Sequence, residues 1–178
     1  APPPAPPASS EHALARPDAS SAVPARRVLS SVADNLPQVR PEHLLGTTLT
    51  FMREFCEVYG VAPATPTSAV AAAVAELTFG TPMSAAERMQ DATTSDGLSA
   101  VAKATCFVSY AADTDFRTLL AALGAFVSDS GLEPGDLHFW TEAFCAPQPA
   151  GQDAGTAALE QMHLARAAAR AAGQVVLV

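Results

Sequence analysis

Asp113 and Asp115 stand two apart in a short polar break between an apolar run and an amphipathic one. Carboxylates so placed can join in catalysis, hold a metal ion or receive a phosphoryl group. They can also cap the free N–H groups of a following helix and complement its dipole. No histidine accompanies them at ligand spacing, so capping is the simpler reading. Cys145 follows Phe144 at the end of a second apolar run, where some α/β enzymes carry a nucleophile. No Gly-x-Ser/Cys-x-Gly elbow surrounds it, and a structural thiol is expected. His138 and Glu142 share a strand face with Trp140 and Phe144 if residues 137–144 are extended, and a half-covered face explains them as well as a site does. His163 falls mid-helix, four residues after Leu159, at the boundary of an apolar face. The sequence contains no Gly-rich phosphate loop, Cys-x-x-Cys pair or His-Glu-x-x-His.

Residues 105–178 must position these groups, and they alternate in character. A β-branched and aromatic run at 105–111 predicts a strand. Phe116, Leu119, Leu120, Leu123, Phe126 and Val127 then fall on one face of a helix that ends near Gly131. A second strand is predicted at 137–144, a helix at 156–172 closed by Gly173, and a third strand at 175–178. Strands alternating with helices of this length imply right-handed crossovers and a parallel sheet covered on both faces. With the first of these strands central, as in flavodoxin-like order, the loops at 110–116 and 145–151 meet outside the carboxyl ends of the strands, where such sheets bind ligands. The chain stops inside its third strand, so the expectation is a fragment of a longer polypeptide or a last strand completed by something else.

Ahead of this α/β part, residues 1–40 predict a Pro/Ala-rich extended arm of the kind that lies along a partner's surface. Residues 41–97 predict a small helical region. Its first helix opens at Pro41 and Glu42, carries the stripe Leu44, Leu45, Thr48, Phe51, Met52, Phe55, Val58 and Tyr59, and closes at Gly60. Thr67 is expected to cap an Ala-rich helix with Val70, Val74 and Leu77 on one face, and a third helix runs from Thr81 to about Asp91. A net charge of −8 with no basic cluster argues against a nucleic-acid surface and against a polybasic membrane surface. No apolar stretch approaches the roughly 20 residues of a membrane span. Cys56, Cys106 and Cys145 are odd in number and widely separated, which predicts buried free thiols in a reducing, cytoplasmic compartment.

Three stretches carry a further signal: Phe107-Val108-Ser109-Tyr110-Ala111, the helix with Leu119-Leu120-Ala121-Ala122-Leu123-Gly124-Ala125-Phe126, and Leu137-His138-Phe139-Trp140-Thr141-Glu142-Ala143-Phe144-Cys145-Ala146-Pro147-Gln148. With the closing Val175-Val176-Leu177-Val178, their order and spacing resemble the N-terminal half of the TIR-like domains found in many algal and protist proteins. The resemblance implies a partial flavodoxin-like fold over residues 98–178, truncated after the third strand. It also implies that Tyr110, Ala112, Asp113, Asp115, Cys145 and Gln148 line a nucleotide pocket or an interaction loop. Some members of that family assemble through their TIR contacts. Others cleave NAD with a glutamate that follows the strand where this chain ends. Three departures stand out: Ala112 replaces a tryptophan, Glu142 replaces an aspartate, and Ala146-Pro147-Gln148 replaces a run ending in Asn-Gln. Loss of the tryptophan opens the mouth of the implied pocket, and Pro147 removes a backbone donor there. The expectation is therefore a non-catalytic scaffold without a cofactor, bound to other protein subunits in a cytoplasmic, ciliary or cytoskeletal assembly. The alternative is an NAD-cleaving hydrolase whose glutamate lies beyond this sequence. A phosphorelay receiver, the third reading, would need an aspartate at the end of the third strand, where the sequence has none.

Overall fold

A computed structural model describes residues 39–62, 64–147 and 154–178. Nearly all of the predicted arm, together with Gln148, lies outside the described residues. The described residues belong to one compact unit. In chain order the described elements are a 3-10 turn at Pro41–Leu44, strand β1 (Leu45–Thr47), helices α1 (Leu49–Val58), α2 (Thr67–Leu77) and α3 (Ala85–Arg88), and strands β2 (Val101–Lys103) and β3 (Cys106–Ser109). Helix α4 (Phe116–Ser130), a 3-10 turn at Pro134–Asp136, β4 (Phe139–Trp140), α5 (Glu142–Cys145), α6 (Ala154–Ala171) and β5 (Gln174–Leu177) follow.

The described residues form a mixed α/β fold with a five-stranded open sheet in the order β2-β1-β4-β3-β5. β3 is parallel to both β4 and β5, so the first strand of the C-terminal part is flanked by the other two. β1 runs antiparallel to β2 and to β4, which makes the sheet mixed rather than wholly parallel.

β1 corrects the expectation of one continuous helix from Pro41 to Gly60. Leu44 and Leu45 suit a helical stripe, but Gly46 permits a backbone approach that no larger residue allows. A Cβ there would sit 2.9 Å from the His138 carbonyl carbon and 3.0 Å from that of Phe139. The strand thus slots against β4, and the helix starts only at Leu49, where the Thr48 hydroxyl accepts the Phe51 N–H at 3.2 Å. Residues 41–97 carry three helices as predicted and, in addition, this interior strand. The third helix is shorter than expected because Ser84, not Thr81, caps it, in a reciprocal capping box with Glu87.

α4 follows its prediction closely. Asp115 accepts the Arg117 N–H at 3.1 Å, and Gly131 ends the helix with φ 67°. Phe116, Leu119 and Leu123 are buried, and Phe126 meets Phe139 edge to face with ring centroids 6.2 Å apart. The predicted strand at 137–144 is extended only through Trp140 and then turns into α5. From Leu137 to Ala146 every residue but Glu142 is buried, so alternation has no exposed side to mark it. The turn carries Phe144 under three other rings: Phe55 at 5.0 Å, Phe51 at 5.8 Å and Phe116 at 6.2 Å. Phe51, Met52 and Phe55, read as a packing stripe, are spent on this cluster.

Gly46→Ala is expected to lower unfolding free energy by about 1–3 kcal/mol, the usual cost of forcing atoms into a packed interior. Urea denaturation of the two proteins checks it, and equal midpoints would contradict the account of β1.

Candidate functional site

Tyr110 directly follows β3, and its hydroxyl accepts the Ala143 N–H at 3.3 Å, tying the strand's carboxyl end to α5. Burial pushes the Tyr110 hydroxyl up to about 12, with the Ala143 hydrogen bond opposing the shift and Glu142 adding to it. At neutral pH it is a protonated phenol. Cys145 is 1% exposed, its thiol directed at the Phe139 carbonyl at 3.7 Å, and burial pushes it up to about 12. Such a group is neither ionised nor reachable, the two requirements of a nucleophilic thiol. Cys56 and Cys106 are also free thiols raised by burial.

Ala112 and Asp113 are exposed on the loop between β3 and α4, and Asp115 is the cap described above. What holds this loop is α2. Thr67 does not cap that helix, as its position suggests; Pro66 occupies the cap position, and Thr67 is the first helical residue. Its hydroxyl donates to the Ala112 carbonyl at 2.9 Å, with the Ala111 carbonyl at 3.2 Å. The Thr67 N–H donates to the Thr114 carbonyl at 2.9 Å and the Ser68 N–H to the Ala112 carbonyl at 3.0 Å. From the loop's far end, the Phe116 N–H returns a bond to the Thr65 carbonyl at 2.9 Å. The next two donors of the helix, Ala69 N–H and Val70 N–H, both reach the Pro66 carbonyl.

This arrangement decides what the loop can do chemically. A helix start is a ready anion site because its first N–H groups lack intrahelical partners. Here the first two of those groups are taken by the Thr114 and Ala112 carbonyls and the next two by the Pro66 carbonyl. The structure brings Tyr110, Ala112, Asp113, Asp115 and Cys145 into one region around the end of β3, while Gln148 is outside the described residues. Among the described residues no group of three or more His, Cys, Asp or Glu side chains is placed to hold a metal ion.

Sequence reasoning gave Thr67 the wrong role, because its only local signal, a threonine at a helix start, points to capping. It missed a groove of about 940 Å³ beside the first 3-10 turn. Glu87 is buried there at 8% exposure, bonded to the Ser84 N–H, with His43 Nε2 at 3.8 Å and Arg40 Nη2 at 3.9 Å. Its carboxylate is thus occupied in joining α3 to the turn. His138, 6% exposed, donates its backbone N–H to Thr105 Oγ1 at 3.0 Å, while its Nε2 meets no hydrogen-bond partner among the described residues. Burial lowers the pKa of this imidazole, partly offset by hydrogen bonding and by Asp136.

Thr67→Val removes the hydroxyl bond and leaves the shape. It is expected to cost about 1–2 kcal/mol and to speed amide exchange in the 111–116 loop. Asp115→Ala should cost about 1 kcal/mol as a lost cap, and Asp113→Ala less than about 0.5 kcal/mol. Chemical denaturation with exchange mass spectrometry measures all three, and a collapse of the fold in Asp113→Ala would contradict the geometry.

His138 predicts a pH dependence of defined sign. Its folded-state pKa is depressed, so the unfolded chain binds the extra proton first, near about 6.5. Stability therefore falls as pH drops below that value and levels off below the folded-state pKa. Thermal melts between pH 8 and pH 5 should show the loss, and His138→Gln should flatten it.

Compared with family models, with curated proteins and with solved structures, the chain shows no match.

Proposed function

We propose that this chain is a non-catalytic interaction module, a degenerate TIR-like domain that works by assembling with other protein subunits in a cytoplasmic, ciliary or cytoskeletal setting. One observation carries the reading: the N–H groups at the start of α2 are bonded to the carbonyls of the 111–114 segment. The same place is where the resemblance puts a nucleotide pocket, and a nucleotide there would compete with the chain's own backbone for its donors. Two further features support it. Ala112 offers no aromatic ring to a base, and Cys145 and Tyr110 are held in their protonated forms by burial. An interaction loop, by contrast, gains from being anchored, because an ordered surface loses less entropy on binding.

The test is nicotinamide release from NAD, measured with the chain and with any longer form of the protein that contains it. No release above the buffer blank is expected, together with migration of the native protein at a mass well above its own. Turnover that disappears in Asp113→Ala or Tyr110→Phe would overturn the proposal in favour of an NAD-cleaving hydrolase.

A further inference from the structure

The two edges of the sheet differ in chemistry. The β2 edge carries the exposed charge of Lys103, one of the usual guards against strand pairing. The β5 edge, Gln174–Leu177, carries no charge, no proline and no bulge, and among the described residues no strand pairs with its outer side. Val175 is 54% and Leu177 79% exposed, while Val176 between them faces the core at 9%.

The register fixes which backbone groups are on offer. Gln174 N–H donates to Thr105 O at 3.2 Å and Val178 N–H to Ser109 O at 3.0 Å, so the even-numbered residues bond inward to β3. Strand groups alternate, and the N–H and C=O of Val175 and Leu177 therefore point outward. Two copies related by a two-fold axis at Val176 would set Val175 opposite Leu177 of the second copy, and Leu177 opposite its Val175. Both are hydrogen-bonded antiparallel pairs, and Val176 meets its own copy in the non-bonded pair between them. The outward groups of Val175 and Leu177 then all have partners, and the central pairs are apolar, with Gln174 opposite Val178 of the second copy at either end. The strand is complementary to itself.

We infer that β5 is a self-association edge, through which a second copy of this chain pairs antiparallel and continues the sheet across a two-fold axis. This rests on the interaction-module reading and names its surface and partner. The contact is short and uncharged, whereas the chain carries a net charge of −8. Long-range repulsion opposes the pairing and salt screens it, so salt should favour the dimer.

Sedimentation equilibrium of the 178-residue chain over rising concentration, at low and at high salt, tests the inference. A mass moving from one chain towards two is expected, with a larger dimer fraction at high salt. Val175→Pro deletes an outward N–H and leaves the bonds to β3, and Leu177→Lys places a charge in each pair. Each should reduce association at least tenfold while circular dichroism keeps the native spectrum. If Val175→Pro fails to fold, Leu177→Lys alone decides. A single-chain mass at all concentrations, a dimer weakened by salt, or a dimer indifferent to the folded variants would overturn it. A monomer that releases no nicotinamide removes only the self-pairing, whereas NAD turnover removes the interaction-module reading whatever the mass.

Discussion

Phe144 is the side chain on which the rest of the structure depends. It has no exposure to solvent and touches rings from α1 and α4. Replacing such a residue by alanine removes about 3–5 kcal/mol, a large share of the roughly 5–15 kcal/mol by which domains are stable. To reach that position the backbone must leave the extended state directly after Trp140. The resulting turn brings the Ala143 N–H to the Tyr110 hydroxyl. A hydrophobic requirement thus sets the local shape of the chain where the sheet's carboxyl end would otherwise lie open.

A second constraint acts on polar groups. α2 packs Val70 and Val74, each 1% exposed, into the same core, and its first turn is thereby carried against the loop after β3. Backbone donors and acceptors removed from water need partners. The helix start and the 111–114 carbonyls supply them to each other. The burial of apolar groups and the pairing of backbone groups thus reinforce one another at this end of the sheet.

Local signals in the sequence describe α4 well, because cap, apolar stripe and stop all lie within residues 115–131 and agree. The β3, α6 and β5 succession was legible for the same reason, whereas the flanking of β3 by the strands that follow it rests on pairings between distant residues. β1 was not. Its three residues are too few to show a period, and Leu44, Leu45 and Thr48 fit the helical stripe of α1 by coincidence. What makes it a strand is distant: pairing with Val101–Lys103 and the fit of Gly46 against His138 and Phe139. The turn at α5 escaped because burial on all sides erases alternation. In the site, Asp115 declared its capping role through position alone, whereas Thr67 bonds to residues 44 and 45 places away, which no local pattern encodes.

Magnitudes decide how far the anchored loop disfavours an anion at the α2 start. Four hydrogen bonds join that helix start and Thr65 to the loop: Thr67 N–H to Thr114, Ser68 N–H to Ala112, the Thr67 hydroxyl to Ala112, and Phe116 N–H to Thr65. At about 1 kcal/mol net for each, opening the loop costs roughly 4 kcal/mol. A ligand that needs those donors must supply that free energy before any affinity appears, a loss of about a thousandfold. Micromolar binding would become millimolar. A protein partner that docks on the closed loop meets no such penalty, so the same bonds that weaken a nucleotide site favour recognition of the loop as it stands.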